Sequence, residues 1–215
     1  MNSIVRRKNA LAGLDKTDRE FKRCVAGMTA KDAYKFFLEN QGTFRYNTEE
    51  TKAEFASMNY KRCSFCTQNI QNFSTEMTVE HIETKSDCPS KIFQWDNLLC
   101  SCRTCNTKRS TKKYRDDKYL DPTKLSDIER YFQFRMDGTI AVGEGLSDTE
   151  RECAEYMVWM YQLDREELNA DRREFMLKLL DDDYFQMLAK MEKQSRDIHF
   201  LAVFTYYKRR KEDGK

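Results

Sequence analysis

Two prolines and seven glycines are all that punctuate the 215 residues of this chain. So sparse a supply of turn formers points to a mostly helical structure. Long apolar runs are missing as well: no stretch approaches the roughly 18 apolar residues that a membrane span needs, and runs such as Tyr156 to Tyr161 are far shorter. A membrane-spanning protein is therefore excluded. The first eight residues, MNSIVRRK, lack the apolar centre of a signal peptide, so we expect a cytoplasmic protein rather than a secreted one. There is no surplus of either charge: 38 Lys+Arg stand against 36 Asp+Glu, and bulk charge does not announce a partner of opposite sign. What is present is 40% hydrophobic and 34% charged residues. That mixture describes a soluble globular protein with a heavily charged surface. A chain this long buries roughly two thirds of its unfolded surface and needs no covalent staple to fold.

Charge is uneven along the chain. Between Ser101 and Lys118 seven basic residues (Arg103, Lys108, Arg109, Lys112, Lys113, Arg115, Lys118) meet only Asp116 and Asp117, and a second basic cluster runs from Lys208 to Lys211. Residues 30–40 and 47–59 read as helical. Three capping boxes, a side-chain acceptor followed three residues later by Glu, stand at Asn47/Glu50, Ser126/Glu129 and Ser147/Glu150. After Ser147 the apolar residues recur at helical spacing in four stripes. These run through Cys153, Tyr156, Met157, Met160 and Leu163; Leu168, Phe175, Met176, Leu179 and Leu180; Tyr184, Met187, Leu188 and Met191; and Ile198, Leu201, Ala202 and Thr205. Such stripes are core packing, though the C-terminal helices are also the best candidates for docking a partner.

Residues 60–115 differ in kind. They hold six of the eight cysteines, one of the two histidines and one of the two prolines. Met77–His81 and Phe93–Leu99 read as short strands joined by a polar loop, and the pattern after Cys105 turns helical. Cys63-Ser-Phe-Cys66 and Cys102-Arg-Thr-Cys105 are two C-x-x-C knuckles with 35 residues between them. Two such knuckles facing one another complete a tetrahedral zinc site, and four thiolates leave no open position, which makes the ion structural. The competing account is a redox pair or buried free thiols. Cys100 is an alternative ligand, but only Cys102 keeps a two-residue gap to Cys105. The site carries net negative charge, and Lys61, Arg62, Arg103 and Lys108 lie close in sequence to offset it. Cys24, Cys88 and Cys153 read as buried small hydrophobes, Trp95 as core beside Asn97, and His199 as structural.

Between the knuckles lies Glu80-His81, with Asn97 following and Asn106 directly after Cys105. The order Cys-x-x-Cys, Glu-His-Ile, Asn-Leu-Leu, Cys-x-x-Cys-Asn-x-Lys resembles the HNH endonuclease family, whose fold is a ββα-metal unit. The resemblance implies hydrolysis of phosphodiester bonds, with His81 as general base and Glu80 and Asn106 as ligands of magnesium or another divalent cation. It implies too that Asn97 is structural, holding the loop after His81. The residue types suit this chemistry: an imidazole titrates near neutral pH, and a hard cation prefers oxygen ligands. Lys85, Lys108 and Arg109 are candidate phosphate contacts, which position a substrate without reading its sequence.

Further along, Glu80–Ser86, Pro89, Trp95–Cys102, Tyr119–Pro122, Tyr131–Ile140, Leu163–Leu168 and Arg172-Arg173 are similar to the PtuB-type nucleases of Septu-like and retron-linked anti-phage systems. That resemblance implies an ATPase partner in a heteromeric complex. Thr84 stands where many relatives have Pro, and Asn106 where others have His. The expected architecture is α+β and helix-rich: an N-terminal helical region at 1–59, a zinc-braced ββα core at 60–118 and a C-terminal helical region at 119–215. The favoured substrate is DNA, with RNA such as tRNA as the second possibility. The alternative from another class is a non-catalytic zinc module that binds nucleic acid or protein through residues 101–118.

Overall fold

Side-chain caps set where several helices begin. In the computed structural model, which describes residues 1, 4, 11–70, 72–110, 112–193 and 198–214, the chain opens with α1 (Ala12–Cys24), α2 (Ala30–Glu39) and α3 (Glu49–Asn59). Thr29 accepts from the Asp32 amide to start α2, and Thr48 accepts from the Thr51 amide to start α3. Each cap satisfies a backbone donor with no partner inside its helix. The cap of α3 is thus one residue beyond the predicted Asn47. The first helix was not among the predicted ones: its start at Leu11 has no side-chain cap, and Leu14 and Phe21 are the residues it buries.

A single turn, α4 (Phe73–Glu76), leads into β1 (Met77–His81). Strand β2 (Leu98–Cys102) pairs antiparallel with it, setting Val79 opposite Cys100, Glu80 opposite Leu99 and His81 opposite Leu98. Helix α5 (Arg103–Arg109) follows and completes a ββα unit. The second strand starts five residues later than predicted, because Trp95–Asn97 form a 3-10 turn. Apolar content alone suggested a strand there. The side chain of Asn97, however, bonds three backbone groups of the preceding loop and keeps its segment out of the ladder.

Four longer helices close the chain: α6 (Asp148–Tyr161), α7 (Glu166–Lys178), α8 (Asp182–Lys193) and α9 (Leu201–Glu212). The predicted capping box forms at α6, where Ser147 Oγ accepts from the Glu150 amide at 3.3 Å and Glu150 Oε2 accepts from the Ser147 amide at 2.9 Å. No box forms at Ser126/Glu129, where a short 3-10 turn starts without a side-chain cap. The predicted stripes are largely buried, but Leu180 and Met187 are exposed rather than core. Between α5 and α6, strands β3 (Phe132–Phe134) and β4 (Ile140–Val142) form a hairpin that periodicity did not reveal. Its turn holds Gly138 at φ 85°, where a Cβ would stand 1.9 Å from the Asn169 carbonyl oxygen. Only glycine lets the hairpin lie on α7.

Aromatic rings tie the ends of the chain to the ββα unit. Phe21 packs 5.1 Å from Phe93, in the loop between β1 and β2, and 5.4 Å from Phe44. On the opposite side Phe65, between the first pair of cysteines, stacks on Tyr161 at 3.7 Å. Trp95 packs on Phe55 at 4.8 Å. Buried residues from all three predicted segments belong to one hydrophobic cluster. The fold is α+β and helix-rich, with a ββα unit braced by four cysteines.

His199 has the structural part expected of it: its Nδ1 accepts from the Asn69 amide at 3.1 Å. Burial pushes its pKa below the ordinary histidine value, so the folded state takes up a proton less readily than the unfolded one. The stability this contributes is full above about pH 6.5 and is lost as pH falls through the lower folded value. Thermal unfolding at pH 7.5 and pH 5 is expected to show a smaller acid-induced drop in Tm for His199→Gln than for the unmodified chain. An identical drop in both would contradict this role.

Candidate active site

The two knuckles come together at one point. Cys63 and Cys66 lie on the turn after α3, Cys102 ends β2 and Cys105 sits in the first turn of α5; their four Sγ atoms lie within 4.8 Å of one another. Cys66 Sγ and Cys102 Sγ are 3.9 Å apart. A tetrahedral ion with metal–sulfur bonds of about 2.3 Å holds its ligands about 3.8 Å apart, so the donor set fits a structural cation. All eight cysteines are free thiols. Cys100 is buried outside the four, as the two-residue gap implied. Burial pushes the Cys63 thiol up, but hydrogen bonds from Cys102, Cys105 and Cys66 outweigh it and hold this pKa well below the ordinary value. The same contacts and burial push the Cys102 and Cys105 thiols up, as expected of one proton-sharing cluster.

Positive charge reaches the cluster from a distant part of the chain. Arg165, just before α7, donates from Nη1 to Cys105 Sγ at 3.9 Å. Arg172, on α7, is 1% exposed and feels the sulfur charge of Cys66 and Cys105. Sequence proximity pointed to Lys61, Arg62, Arg103 and Lys108; Arg165 and Arg172 join from far along the chain. The unassigned cysteines are also less buried than expected: Cys24 is exposed, while Cys88 and Cys153 are half-buried.

One side of the ββα unit opens into a cleft of about 480 Å³. Glu80, His81, Lys85, Asn106 and Arg109 all border it, five of the residues singled out by sequence. Glu80 and His81 are consecutive on β1 and buried, at 2% and 4% exposure. His81 Nε2 lies 3.0 Å from the carbonyl oxygen of Ile92. A carbonyl only accepts, so Nε2 carries the hydrogen and Nδ1 is left as the ring's proton acceptor. Burial, helped by the positive charge of Lys85, pushes the pKa of His81 down to about 3. The imidazole is therefore neutral throughout the physiological range, rather than titrating near neutrality as its residue type suggested.

Glu80 is the acidic partner. Burial pushes its carboxyl up to about 7, against the pull of Arg109. Arg109 is itself buried, pairing through Nη1 with Glu80 Oε1 and donating through Nη2 to the Ile82 carbonyl at 2.6 Å. Its guanidinium thus fastens α5 to β1 and is already occupied. The structure places the predicted phosphate contact inside the cleft wall. Lys108 does not border the cleft. Lys85 does, donating to Tyr46 Oη at 2.8 Å.

Asn97 sits behind the cleft and holds the loop after His81. Its Oδ1 accepts from the Glu83 amide at 2.8 Å, and its Nδ2 donates to the Glu83 and Lys91 carbonyls at 3.1 and 3.0 Å. The same loop carries Ile92, whose carbonyl orients His81.

Several residues of the cleft escaped sequence reasoning. Tyr46 meets the His81 ring edge-on at 4.6 Å and, with Tyr34, comes from an N-terminal region that matched no motif. Lys112 and Lys113 belong to the basic run and were available as a signal. Ser110, at φ 38°, ends α5 and turns the chain so that both lysines border the cleft.

Residues 63–112 match the model of the family described as HNH endonuclease, a span that takes in both knuckles, both strands and α5. This segment is an HNH endonuclease domain. Over 87 residues the chain is 31% identical to Septu protein PtuB of Bacillus thuringiensis, which is 40% of this chain and 34% of that protein. The chain is thus PtuB-like over that stretch, and it spans about a third of the length of the curated relative it matches.

Proposed function

We propose that this chain is a metal-dependent endonuclease that hydrolyses phosphodiester bonds of nucleic acid, DNA foremost and RNA such as tRNA second, with zinc in the four-cysteine site. The observation that carries this reading is the geometry of His81, whose Nε2 hydrogen is committed to the Ile92 carbonyl and whose ring borders one cleft with Glu80 and Asn106 within the HNH segment.

His81 Nδ1 takes a proton from the attacking water, and the Ile92 carbonyl fixes the tautomer that leaves Nδ1 free to do so. Glu80 carboxylate and Asn106 amide oxygen suit a hard divalent cation, magnesium foremost, and two protein ligands are few enough for an ion that keeps several waters and takes phosphate oxygens. Such an ion supplies charge stabilisation to the developing negative oxygens. Asn97 holds the loop that positions His81. Of the sequence candidates Lys85, Lys108 and Arg109, Lys85 balances substrate phosphate, and Lys113 joins it from the cleft wall. The zinc cluster joins both ends of the motif and, through the adjacent Cys105, places Asn106.

The likeness to Septu protein PtuB supports a defence role. To this the proposal adds an ATPase partner and a cytoplasmic setting, which the family resemblance of the sequence implies. Cleavage of plasmid DNA and total tRNA by the chain and by its His81→Ala variant, in magnesium, tests the enzymatic part. Co-purification with an ATPase encoded next to the gene tests the other.

A further inference from the structure

A second, more open depression of about 660 Å³ adjoins the cleft, and Lys112 and Lys113 belong to the walls of both. It is lined by Tyr156 and Trp159 of α6 and by Arg115 and Lys118. Trp159 is 54% exposed and lies off the buried stripe of its helix, so core packing does not account for it. Yet the ring is held in place. Tyr156 packs 5.8 Å from it, and Lys112 Nζ lies 4.9 Å from its centroid. The same ammonium donates to the Trp159 and Met160 carbonyls at 2.7 and 3.0 Å, a cation placed at the C-terminal end of α6. Tyr156 Oη donates to the Lys113 carbonyl at 2.6 Å and so fixes the strip of chain shared by the cleft and the depression.

Charge along this strip favours a polyanion. Lys112, Lys113, Arg115 and Lys118 border it against Glu152 and Glu155. Arg115 and Lys118 are paired with Asp117 and Glu152 in bridges open to solvent. Exposed ion pairs are weak, so phosphate can displace them. A pre-positioned, exposed aromatic ring flanked by cations is the arrangement on which unpaired bases stack while the backbone follows the positive wall.

We propose that Trp159 is a stacking platform for an unpaired base of the strand being cut, with Lys113 and Arg115 holding phosphates between it and His81. This rests on the nuclease reading above and narrows it. In a duplex the base faces are covered by their neighbours, so the platform selects single-stranded nucleic acid or unpaired loops over continuous double helix.

The test uses the full zinc-loaded chain carrying His81→Ala, so that nothing is cut, titrated with a twelve-nucleotide oligothymidylate and with an oligouridylate of equal length. The chain has two tryptophans, and Trp95 is buried against Phe55, so quenching of tryptophan fluorescence reports on Trp159. Saturable quenching is expected. By anisotropy of a labelled oligonucleotide, Trp159→Ala is expected to bind roughly tenfold or more weakly, and Trp159→Tyr to recover most of that loss. Leu180→Ala, an exposed apolar truncation elsewhere, is expected to bind unchanged and serves as the control.

Unchanged affinity in Trp159→Ala, or a blunt duplex that competes as well as single strand, would overturn the platform. So would a Trp159→Ala variant that loses a protein partner while its oligonucleotide affinity is intact, since the surface would then be a protein dock. The two readings fail separately. Quenching without cleavage by the unmodified chain removes the nuclease reading and leaves the base platform. Cleavage by Trp159→Ala at an unaltered KM removes the platform and leaves the nuclease.

Discussion

Replacing His81 by alanine is expected to lower the rate of nucleic-acid cleavage about 10²- to 10⁴-fold, the range typical of a lost general base. The ring is neutral and its Nε2 hydrogen is engaged by Ile92, so what the variant removes is the acceptor at Nδ1. The substitution also removes a buried hydrogen bond and the edge contact with Tyr46. That loss is about 1–3 kcal/mol and leaves the chain folded. Circular dichroism and metal content are therefore expected to match the unmodified protein while kcat falls. Imidazole added to the assay is expected to restore part of the activity by filling the space left behind. Unchanged kcat would remove His81 from the chemistry.

Loss of a cysteine from the cluster is expected to do more damage to structure than any other single change. In Cys102→Ser an oxygen replaces a sulfur ligand at a site where four sulfurs lie within 4.8 Å. Structural zinc in small domains contributes on the order of 10 kcal/mol of folding free energy, comparable with the whole net stability of a domain at about 5–15 kcal/mol. Beside the cluster, the ββα unit is held by two short strands, a helix of two turns, the buried Arg109–Glu80 pair, the Asn97 bonds and the rings that reach it from the flanking segments. Cys102→Ser is expected to lose its zinc and to unfold far below the unmodified chain, and strong chelation is expected to mimic it. Cys24→Ser, at an exposed cysteine outside the cluster, is expected to keep one zinc per chain and an unchanged Tm. Metal stoichiometry and thermal melts check both, and a Cys102→Ser protein that retained its zinc would contradict the ligand assignment.

The parts of the fold that were legible in the sequence are those whose physics is local. A two-residue gap between cysteines defines a tight turn wherever it occurs, so both knuckles and the choice of Cys102 over Cys100 could be read directly. Ser147 and Glu150 formed their box because every atom of it lies within one helical turn. Legibility fails where partners are distant in sequence. Arg165 and Arg172 reach the sulfur cluster from some 60 residues past Cys105, and no spacing rule connects them to it. Tyr46 reaches His81 because Phe21, Phe37 and Phe44 pack around Phe93. Nothing in the first 50 residues announced that packing. The start of β2 was misread for a related reason: Asn97 is spent on bonds to residues 6 and 14 positions away, which override the strand character of its neighbours. For the cleft, residue types and order located Glu80, His81 and Asn106. Tertiary packing decided which basic groups face it, so that Arg109 closes on Glu80 while Lys113 lies open at the rim.

In the function proposed above, the cleft beside the sulfur cluster cuts phosphodiester bonds with the help of a divalent cation held apart from the zinc proposed for the four cysteines. Plasmid DNA and total tRNA should be incubated in parallel with the zinc-loaded chain while magnesium is raised from zero. Cleavage of at least one polymer is expected to appear with magnesium at constant zinc content and to be slower by about 10²-fold or more throughout the His81→Ala series. Salt-sensitive binding of both polymers with no turnover at any magnesium, manganese or calcium concentration would contradict it and leave a zinc-braced binding module in its place.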